Sequence, residues 1–377
     1  MSVKNKFINE ENIKTQLEKF GIENAEAEIE NISKQINSII NSYKPKNKIA
    51  REQYEKGKPF FEVYKTSAEL NLPEWVLSKI ETARVIGNSY QTIIFPNGEK
   101  YQINNSLNNL SATDWLLFTK SVFETFYSTS GKDSYAHEIR KIHPSPKPPQ
   151  LMKEIIEFFT KKDELVFDYF MGVGGTLLGA GLCGRKVAGI ELNQKYIDAY
   201  KAAAEKINIE IFPVQCGDCI EILNSKTEMR GLLKEQKISL VLIDPPYANM
   251  MSKKKTGADI EVYGSVATPF TDDSRDFGNF SAEVFFDNLK KSVELVLPYV
   301  KKRGYVVVFI KDLQPEKKET NLLHARIIEK LNEIPEVNYK GLKILADKST
   351  KLFPYGYPFS FVSNQIHQFI LIFRKEK

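Results

Sequence analysis

Ten residues constrain this chain more than any others: Ile238-Ser239-Leu240-Val241-Leu242-Ile243-Asp244-Pro245-Pro246-Tyr247. The first six, five of them apolar, have the length and continuity of a strand buried on both faces, as in a parallel sheet under helices. Pro245 and Pro246 cannot donate ladder hydrogen bonds, so the strand stops there. In open α/β sheets ligands bind just beyond the carboxyl ends of strands, which makes Asp244 and Tyr247 candidate functional residues. The paired prolines stiffen the backbone, so a main-chain carbonyl and the Asp244 carboxylate can converge on one point. Two acceptors held together suit the two N–H donors of an amino group. Tyr247 adds a flat face for a heteroaromatic ring. An isolated D-P-P-Y reads equally well as an ordinary turn after a strand; the upstream chain shifts the balance toward a clamp for the exocyclic amine of a base.

Upstream lies a series of strand and helix patterns. Leu165–Phe170 reads as a first strand. Met171-Gly172-Val173-Gly174-Gly175-Thr176 is a glycine turn, and a small-residue helix follows to about Gly184. Lys186–Leu192 is a second strand, 193–206 a helix, and 211–216 a third strand ending in Gly217-Asp218. Beyond Tyr247 come a polar stretch to Phe280, a helix over 281–300, a strand over 304–310 and a helix over 322–331. Strands over 342–346 and 368–373 follow, the last pair antiparallel. The expected fold class is α/β: a Rossmann-like seven-stranded sheet, mostly parallel with a C-terminal antiparallel strand, after an N-terminal helical arm and a small α+β region.

Three strand ends deliver Asp168, Glu191 and Asp218 along one edge. Each alone reads as a solvated strand end; all three beside a glycine turn read as a cofactor site. Glu191, about 20 residues after the turn, is placed to hold a ribose diol. Asp218 could accept from an adenine amino group. A nicotinamide cofactor would suit the same half, but the turn lacks full G-x-G-x-x-G spacing, since position 177 is Leu177, and the D-P-P-Y clamp has no hydride role.

The chain of 377 residues is long enough for about two domains. Residues 1–49 read as a helical arm, with Ile29, Ile32, Ile36, Ile39 and Tyr43 on one seam. The seam either packs on its own domain or forms a homodimer or partner contact. Residues 44–48 read as a linker. Residues 50–140 form the small α+β region: a helix start at Leu72-Pro73-Glu74-Trp75, a hairpin around Pro96-Asn97-Gly98, and a helix capped at Ser111 and running to about Phe126. Residues 141–377 are the catalytic domain, opened by the rigid His143–Pro149 segment. Three cysteines, one lone C-x-x-C and four scattered histidines make neither a disulfide scaffold nor a metal site. A charged N-terminus and the lack of a long apolar run point to a cytoplasmic chain with no membrane partner. The net charge of +5 permits a polyanionic partner without requiring one.

The order H-P-x-x-K-P, F-D-Y-F-M-G-V-G-G-T, G-I-E-L-N-x-x-Y-I, G-D and D-P-P-Y resembles the amino-group DNA methyltransferases that use S-adenosylmethionine. The final Ile366–Lys375 stretch resembles that family's last strand. The match runs over about residues 140–377. Tyr169, where the family usually has proline, and Gly175, where it often has threonine, depart from the pattern. The resemblance implies that Asp168, Phe170, Met171, Gly172, Gly174 and Thr176 wrap the methionine part of the cofactor, with His143, Lys147 and Pro148 flanking it. It implies that Glu191, with Leu192 beside it, holds the ribose and Asp218, with Cys219, the adenine. Asp244, Pro245, Pro246 and Tyr247 would take the flipped base. D-P-P-Y in this family tilts toward adenine N6 over cytosine N4. Lys253, Lys254 and Lys255 form a run that could touch DNA phosphates or be a solvated loop. Residues 50–140, with 249–280, are the candidates for sequence recognition. The expected activity is adenine-N6 methylation of DNA in a restriction-modification or defence setting, with a restriction subunit as a partner. An RNA base methyltransferase and a non-catalytic DNA-binding subunit are the alternatives.

Overall fold

The computed structural model describes residues 29–30, 46–247, 271–312, 322–347, 352, 354 and 357–377. The chain divides into two compact units, Met1–Ser106 and Leu107–Lys377. In the first, helix α1 (Lys46–Lys56) precedes four short antiparallel strands that neighbour one another in chain order: β1 (Lys58–Pro59), β2 (Arg84–Ile86), β3 (Thr92–Ile94) and β4 (Lys100–Gln102). Pro96-Asn97-Gly98 makes the expected hairpin between β3 and β4, with Gly98 at φ 84°. Phe60, Val76, Val85, Ile93, Phe95 and Tyr101 form this unit's core. α1 starts at Lys46, inside the segment read as a linker; a proline just ahead of a helix leaves its first turn intact. Ile29 is helical, while Ile32, Ile36, Ile39 and Tyr43 lie outside the described residues.

The second unit begins with α2 (Ala112–Phe118), β5 (Val122–Thr125), α3 (Pro149–Phe159), β6 (Leu165–Asp168), α4 (Gly175–Leu182), β7 (Lys186–Glu191), α5 (Gln194–Lys206) and β8 (Val214–Cys216). It continues with α6 (Cys219–Asn224), α7 (Lys226–Leu233), β9 (Ile238–Ile243), α8 (Ala282–Val296), β10 (Val300–Ile310), α9 (Leu323–Asn332), β11 (Val337–Asp347) and β12 (His367–Lys375). The strands form one sheet in the order β5-β11-β12-β10-β9-β6-β7-β8. From β10 to β8 all neighbours run parallel, and β12 is antiparallel to both β10 and β11. The seven expected strands are present, and β5 adds an eighth at the edge, parallel to β11.

That eighth strand corrects two expectations. The helix predicted to reach Phe126 ends at Phe118, and Val122–Thr125 pairs with Ile344–Asp347 instead. The buried Lys343 ammonium donates to the Phe118 and Lys120 carbonyls, which closes the last turn of α2. The domain boundary expected at residue 140 falls at 106. Residues 107–140 belong to the sheet unit because β5 joins its ladder, Asn108 donates to the Phe158 carbonyl at 2.6 Å, and Phe118 stacks on Phe158.

Every residue of β9 is buried, as its continuous apolar run requires. Val241 and Ile243 pack with Phe285 and Val293 of α8, while Leu240 and Leu242 pack on the face covered by Ile155, Leu177 and Tyr200. Burying each such aliphatic side chain contributes about 1.5–3 kcal/mol. The chain runs outward from β6 through β7 to β8, then returns to place β9 on the other side of β6. A strand order that reverses this way leaves a crevice beyond the carboxyl ends of the two flanking strands.

Candidate active site

Asp168 ends β6, Glu191 ends β7, Asp218 caps α6 after β8, and Asp244 follows β9. Glu191, Asp218 and Asp244 line one cavity of about 660 Å³, within the usual range for a small-molecule site. His143, Phe170, Gly172, Leu192, Cys219, Pro245, Pro246 and Tyr247 share its wall. Lys147, Pro148, Asp168, Met171, Gly174 and Thr176 do not line it. Lys147, Asp168, Met171 and Thr176 are buried in the surrounding structure, Gly174 caps α4, and Pro148 is the N-cap of α3. Lys253, Lys254 and Lys255 lie outside the described residues.

The glycine turn does more packing than was read from the sequence. Gly174 sits at φ +75°, and a Cβ there would stand 2.2 Å from Tyr200 Cδ2. A Cβ at Gly175 would come within 2.7 Å of the Lys147 carbonyl oxygen. Gly174 therefore lets the start of α4 close on α5, and Gly175 lets it close on the His143–Pro149 segment. Gly172 is the one that faces the cavity: a Cβ there would fill the space 3.4 Å from His143 Nε2. Its N–H donates to Glu191 Oε2 at 2.8 Å, and the Asn193 N–H donates to Oε1 at 2.9 Å.

Each Glu191 oxygen keeps a second lone pair, a fit for two adjacent hydroxyl donors. Burial, chiefly, pushes the Glu191 carboxyl up to about 7 despite those backbone donors. The Asp168 carboxyl, 3% exposed, is likewise pushed up to about 7 by burial, with Asp244 and Glu191 adding repulsion. Asp168 Oδ1 accepts from the Phe170 N–H at 3.0 Å, which shapes the start of the turn. Asp218 Oδ1 accepts from the Ile220 and Glu221 N–H groups at 2.6 and 3.2 Å, an N-cap of α6. No described donor bonds to its Oδ2. Burial pushes the Cys219 thiol well up, so it is a wall rather than a nucleophile.

Asp244 is held from the opposite side and by side chains. Lys147 Nζ reaches its Oδ2 at 2.8 Å, with the two side chains only 9% and 18% exposed. The Tyr247 hydroxyl donates to Oδ1 at 3.0 Å. Lys147 also donates to Gln368 Oε1 at 3.0 Å. Lys147, expected beside a cofactor, is thus the counter-ion of the D-P-P-Y carboxylate. Losing one partner of such a partly buried pair costs about 3 kcal/mol. One lone pair on each Asp244 oxygen remains for an incoming N–H. His143 accepts at Nδ1 from the Ser145 N–H at 3.1 Å, and burial holds the ring down to about 4, so it faces the cavity uncharged at neutral pH.

Several cavity residues escaped the sequence reading: Tyr196, Thr271, Arg275, Asp276, Lys311 and Gln368. Lys311 directly follows β10 and Gln368 lies at the start of the antiparallel β12, both on the edge where the parallel strands end. Strand-end position was the signal that could have found them. Tyr169, at the family's usual proline position, is 1% exposed, and its hydroxyl lies 3.1 Å from Ser292 Oγ of α8. The departure is accommodated where the core meets the cavity, since Tyr169 packs in the core and also contributes to the cavity wall.

Known proteins were compared with this arrangement. Over 94 residues the chain is 36% identical to the Type II methyltransferase M.HinfI of Haemophilus influenzae, covering 25% of each chain. Over 104 residues it is 28% identical to the tRNA (guanine(10)-N2)-dimethyltransferase of Pyrococcus abyssi, covering 28% of this chain and 29% of that one. The chain thus spans less than a third of the length of these curated relatives. Among solved structures, TrmN from Thermus thermophilus aligns over 60% of this chain and 48% of its own, at 13% identity and a TM-score of 0.36. A model of the N6/N4 methyltransferases, described as DNA methylases, matches residues 4–202, more than half of the chain. Since that match takes in the glycine turn and the Glu191 strand end, and the cavity beside them offers acceptors for a ribose, the chain belongs to the DNA methylase family of amino-group methyltransferases, whose methyl donor is S-adenosylmethionine.

Proposed function

We propose that this protein methylates the exocyclic amino group of a base in DNA, adenine N6 first, at a defined sequence. The observation that carries this reading is Asp244, a carboxylate fixed by Lys147 and Tyr247 that still has acceptor capacity on the cavity it shares with Glu191 and Asp218. Glu191 would accept from the ribose hydroxyls of S-adenosylmethionine, Asp218 Oδ2 from its adenine amine, and the wall at Gly172 and His143 would flank its amino-acid end. When bound, the cofactor supplies a methyl group on a positively charged sulfur. An uncharged His143 and a Lys147 neutralised by Asp244 keep those two neighbours from repelling that positive charge.

The lone pair of an aromatic amine is delocalised into its ring and attacks poorly. Asp244 and the Pro245 carbonyl would each accept one N–H and favour a more pyramidal, more nucleophilic nitrogen. That interaction strengthens toward the transition state. That nitrogen would take the methyl group of the bound cofactor, and Asp244 would hold the N–H whose proton passes to solvent. A base in a duplex must flip out, at a cost of a few kcal/mol. Stacking on Tyr247 would return about 1–3 kcal/mol. Because the Tyr247 hydroxyl is tied to Asp244, ring and carboxylate are oriented together.

The DNA methylase family model and the match to a type II methyltransferase support DNA as the substrate. The local likeness to a tRNA methyltransferase favours RNA as the second reading. One assay separates them: incubate the protein and labelled cofactor with genomic DNA or total RNA, digest, and identify the methylated nucleoside by mass spectrometry. N6-methyladenosine in the deoxy form is expected. N4-methylcytosine would move the target base, and label confined to RNA would overturn the DNA reading. Failure to bind cofactor by calorimetry would point to a non-catalytic subunit. In our reading the protein works beside a restriction subunit, in the compartment that holds the DNA, and self-associates through its N-terminal helical arm. Among the described residues no helix is long and apolar enough to cross a membrane.

A further inference from the structure

A second cavity, of about 210 Å³, shares Ser145, Lys311 and Gln368 with the wall of the first. The two differ sharply in charge. Glu191, Asp218, Asp244 and Asp276 line the larger cavity beside Lys141, Arg275 and Lys311, whereas among the described residues no aspartate or glutamate lines the smaller one. Arg140, Lys147 and Lys311 do line it. Lys147 is already committed to Asp244 and Gln368. Arg140 is different. It is 1% exposed, and the acid that acts on it, Glu138, attracts it only at long range while forming its own ion pair with Lys206. Its Nε donates to the Tyr135 carbonyl at 3.2 Å and its Nη1 to the Lys147 carbonyl at 2.9 Å, while no described acceptor bonds to Nη2.

A buried guanidinium without an anion is costly to maintain, and the local backbone is shaped to keep it. Tyr135 and Ala136 both sit at positive φ, 47° and 56°, and Tyr135 supplies the carbonyl to Nε. Burial lowers the guanidinium to about 10, which leaves it charged at neutral pH. The buried Thr125 and Ser134 and the exposed Ser128 and Thr129 complete the lining, with the Ser128 and Ser134 hydroxyls donating to the Ser130 and Gly131 carbonyls. A planar, charged donor set with hydroxyls and no acid matches a phosphate group.

We propose that this pocket takes a single phosphate of the polynucleotide whose base enters the larger cavity, with Arg140 donating to its oxygens. The inference rests on the nucleic-acid reading above. It also serves that reading: the larger cavity carries four acids of mixed protonation and pairing, and an adjoining cationic pocket gives the polyanion's backbone a place to rest.

The test uses the full chain. Affinity for a fluorescent duplex is measured by anisotropy over a range of salt, alongside cofactor affinity by calorimetry and the methylation assay on wild type. Neutralising one phosphate contact lowers the slope of log affinity against log salt by about one. Arg140→Gln should do this and Arg140→Lys should restore most of the slope. Because Arg140 also braces the Lys147 carbonyl and its removal can unfold the segment, Thr129→Glu provides an independent arm. It places a carboxylate at an exposed edge of the pocket and should weaken duplex binding several-fold at low salt. An unchanged slope in Arg140→Gln together with unchanged binding in Thr129→Glu makes Arg140 a strut and overturns the proposal. Inorganic phosphate separates the sources of the anion. If it raises the melting temperature of wild type but not of Arg140→Gln, while both duplex readouts stay unchanged, the site takes free phosphate and the proposal falls. If wild type methylates no polynucleotide, the functional reading has failed; if it does and the slopes match, the pocket alone has failed.

Discussion

On one wall of the larger cavity the carboxylates are held by backbone, and on the other by side chains. Glu191 and Asp218 accept from N–H groups two or three residues onward, Glu191 takes one more from Gly172, and Asp168, buried behind that wall, accepts from Phe170. Asp244 is held by Lys147, by Tyr247 and, through Lys147, by Gln368. Backbone donors persist whatever the neighbouring side chains are, so the first wall is a rigid receptor. Side-chain donors can be adjusted or lost singly, so the second wall is where reactivity is set. If the walls are separable in this way, changes on one should alter cofactor affinity and changes on the other should alter turnover.

The largest effect expected is from Asp244→Ala. Losing an acceptor that acts in the transition state should reduce methyl transfer about 10³-fold, or abolish it. Cofactor affinity by calorimetry should stay within a few-fold; a collapse there would mean the walls are not separable. Gly174→Ala should break the fold of the receptor wall rather than its chemistry. A Cβ at φ +75° and 2.2 Å from Tyr200 should lower unfolding free energy by about 3 kcal/mol in denaturant titration. Glu191→Gln should weaken cofactor binding by about ten- to a hundredfold, the scale of one charge-assisted hydrogen bond. Saturating cofactor should recover most turnover, which Asp244→Ala cannot do.

The fourth test is pH. Asp168 and Glu191 have folded values of about 7, raised from 3.8 and 4.5. Their contribution to stability is present below the unfolded values and is lost as pH rises through 7. His143 runs the other way, lowered from 6.5 to about 4, so its contribution is present above 6.5 and is lost as pH falls through 4. Over the window from 4.5 to 7 the two acids outweigh the one histidine, so these groups together should lower the thermal midpoint as pH rises, most steeply between 6.5 and 7 where His143 no longer opposes them. Hydroxyl donors favour the ionised Glu191, so cofactor affinity should climb by up to about tenfold per pH unit below 7, and Glu191→Gln should flatten that rise. The smallest effect belongs to Tyr247→Phe, which keeps the ring and loses one donor to Asp244. Turnover should fall about five- to tenfold, near 1 kcal/mol, with cofactor affinity unmoved.

These walls also differed in how plainly they could be read beforehand. The buried run of β9, the proline stop and the acids at the ends of β6 and β7 follow from patterns a few residues long, and they stand where expected. The glycine turn was recognised, but its purpose was half misjudged, since Gly174 and Gly175 answer to Tyr200 and the Lys147 carbonyl. Val122–Thr125 looked like the tail of a helix because its partner, β11, lies far along the chain. Arg140 sat in a polar stretch that gave no hint of a buried guanidinium.

Short-range chemistry in the chain is enough to specify a parallel sheet, a strand that must end at Pro245, and acids waiting at that edge. Apolar runs, prolines and N-caps act within a few residues, so their consequences are written locally. Folding alone could bring Lys147 to Asp244, Gln368 to Lys147, and an acid-free pocket beside a cavity lined with four acids. Electrostatic pairing depends on distance through space, and that distance does not exist until the sheet has closed.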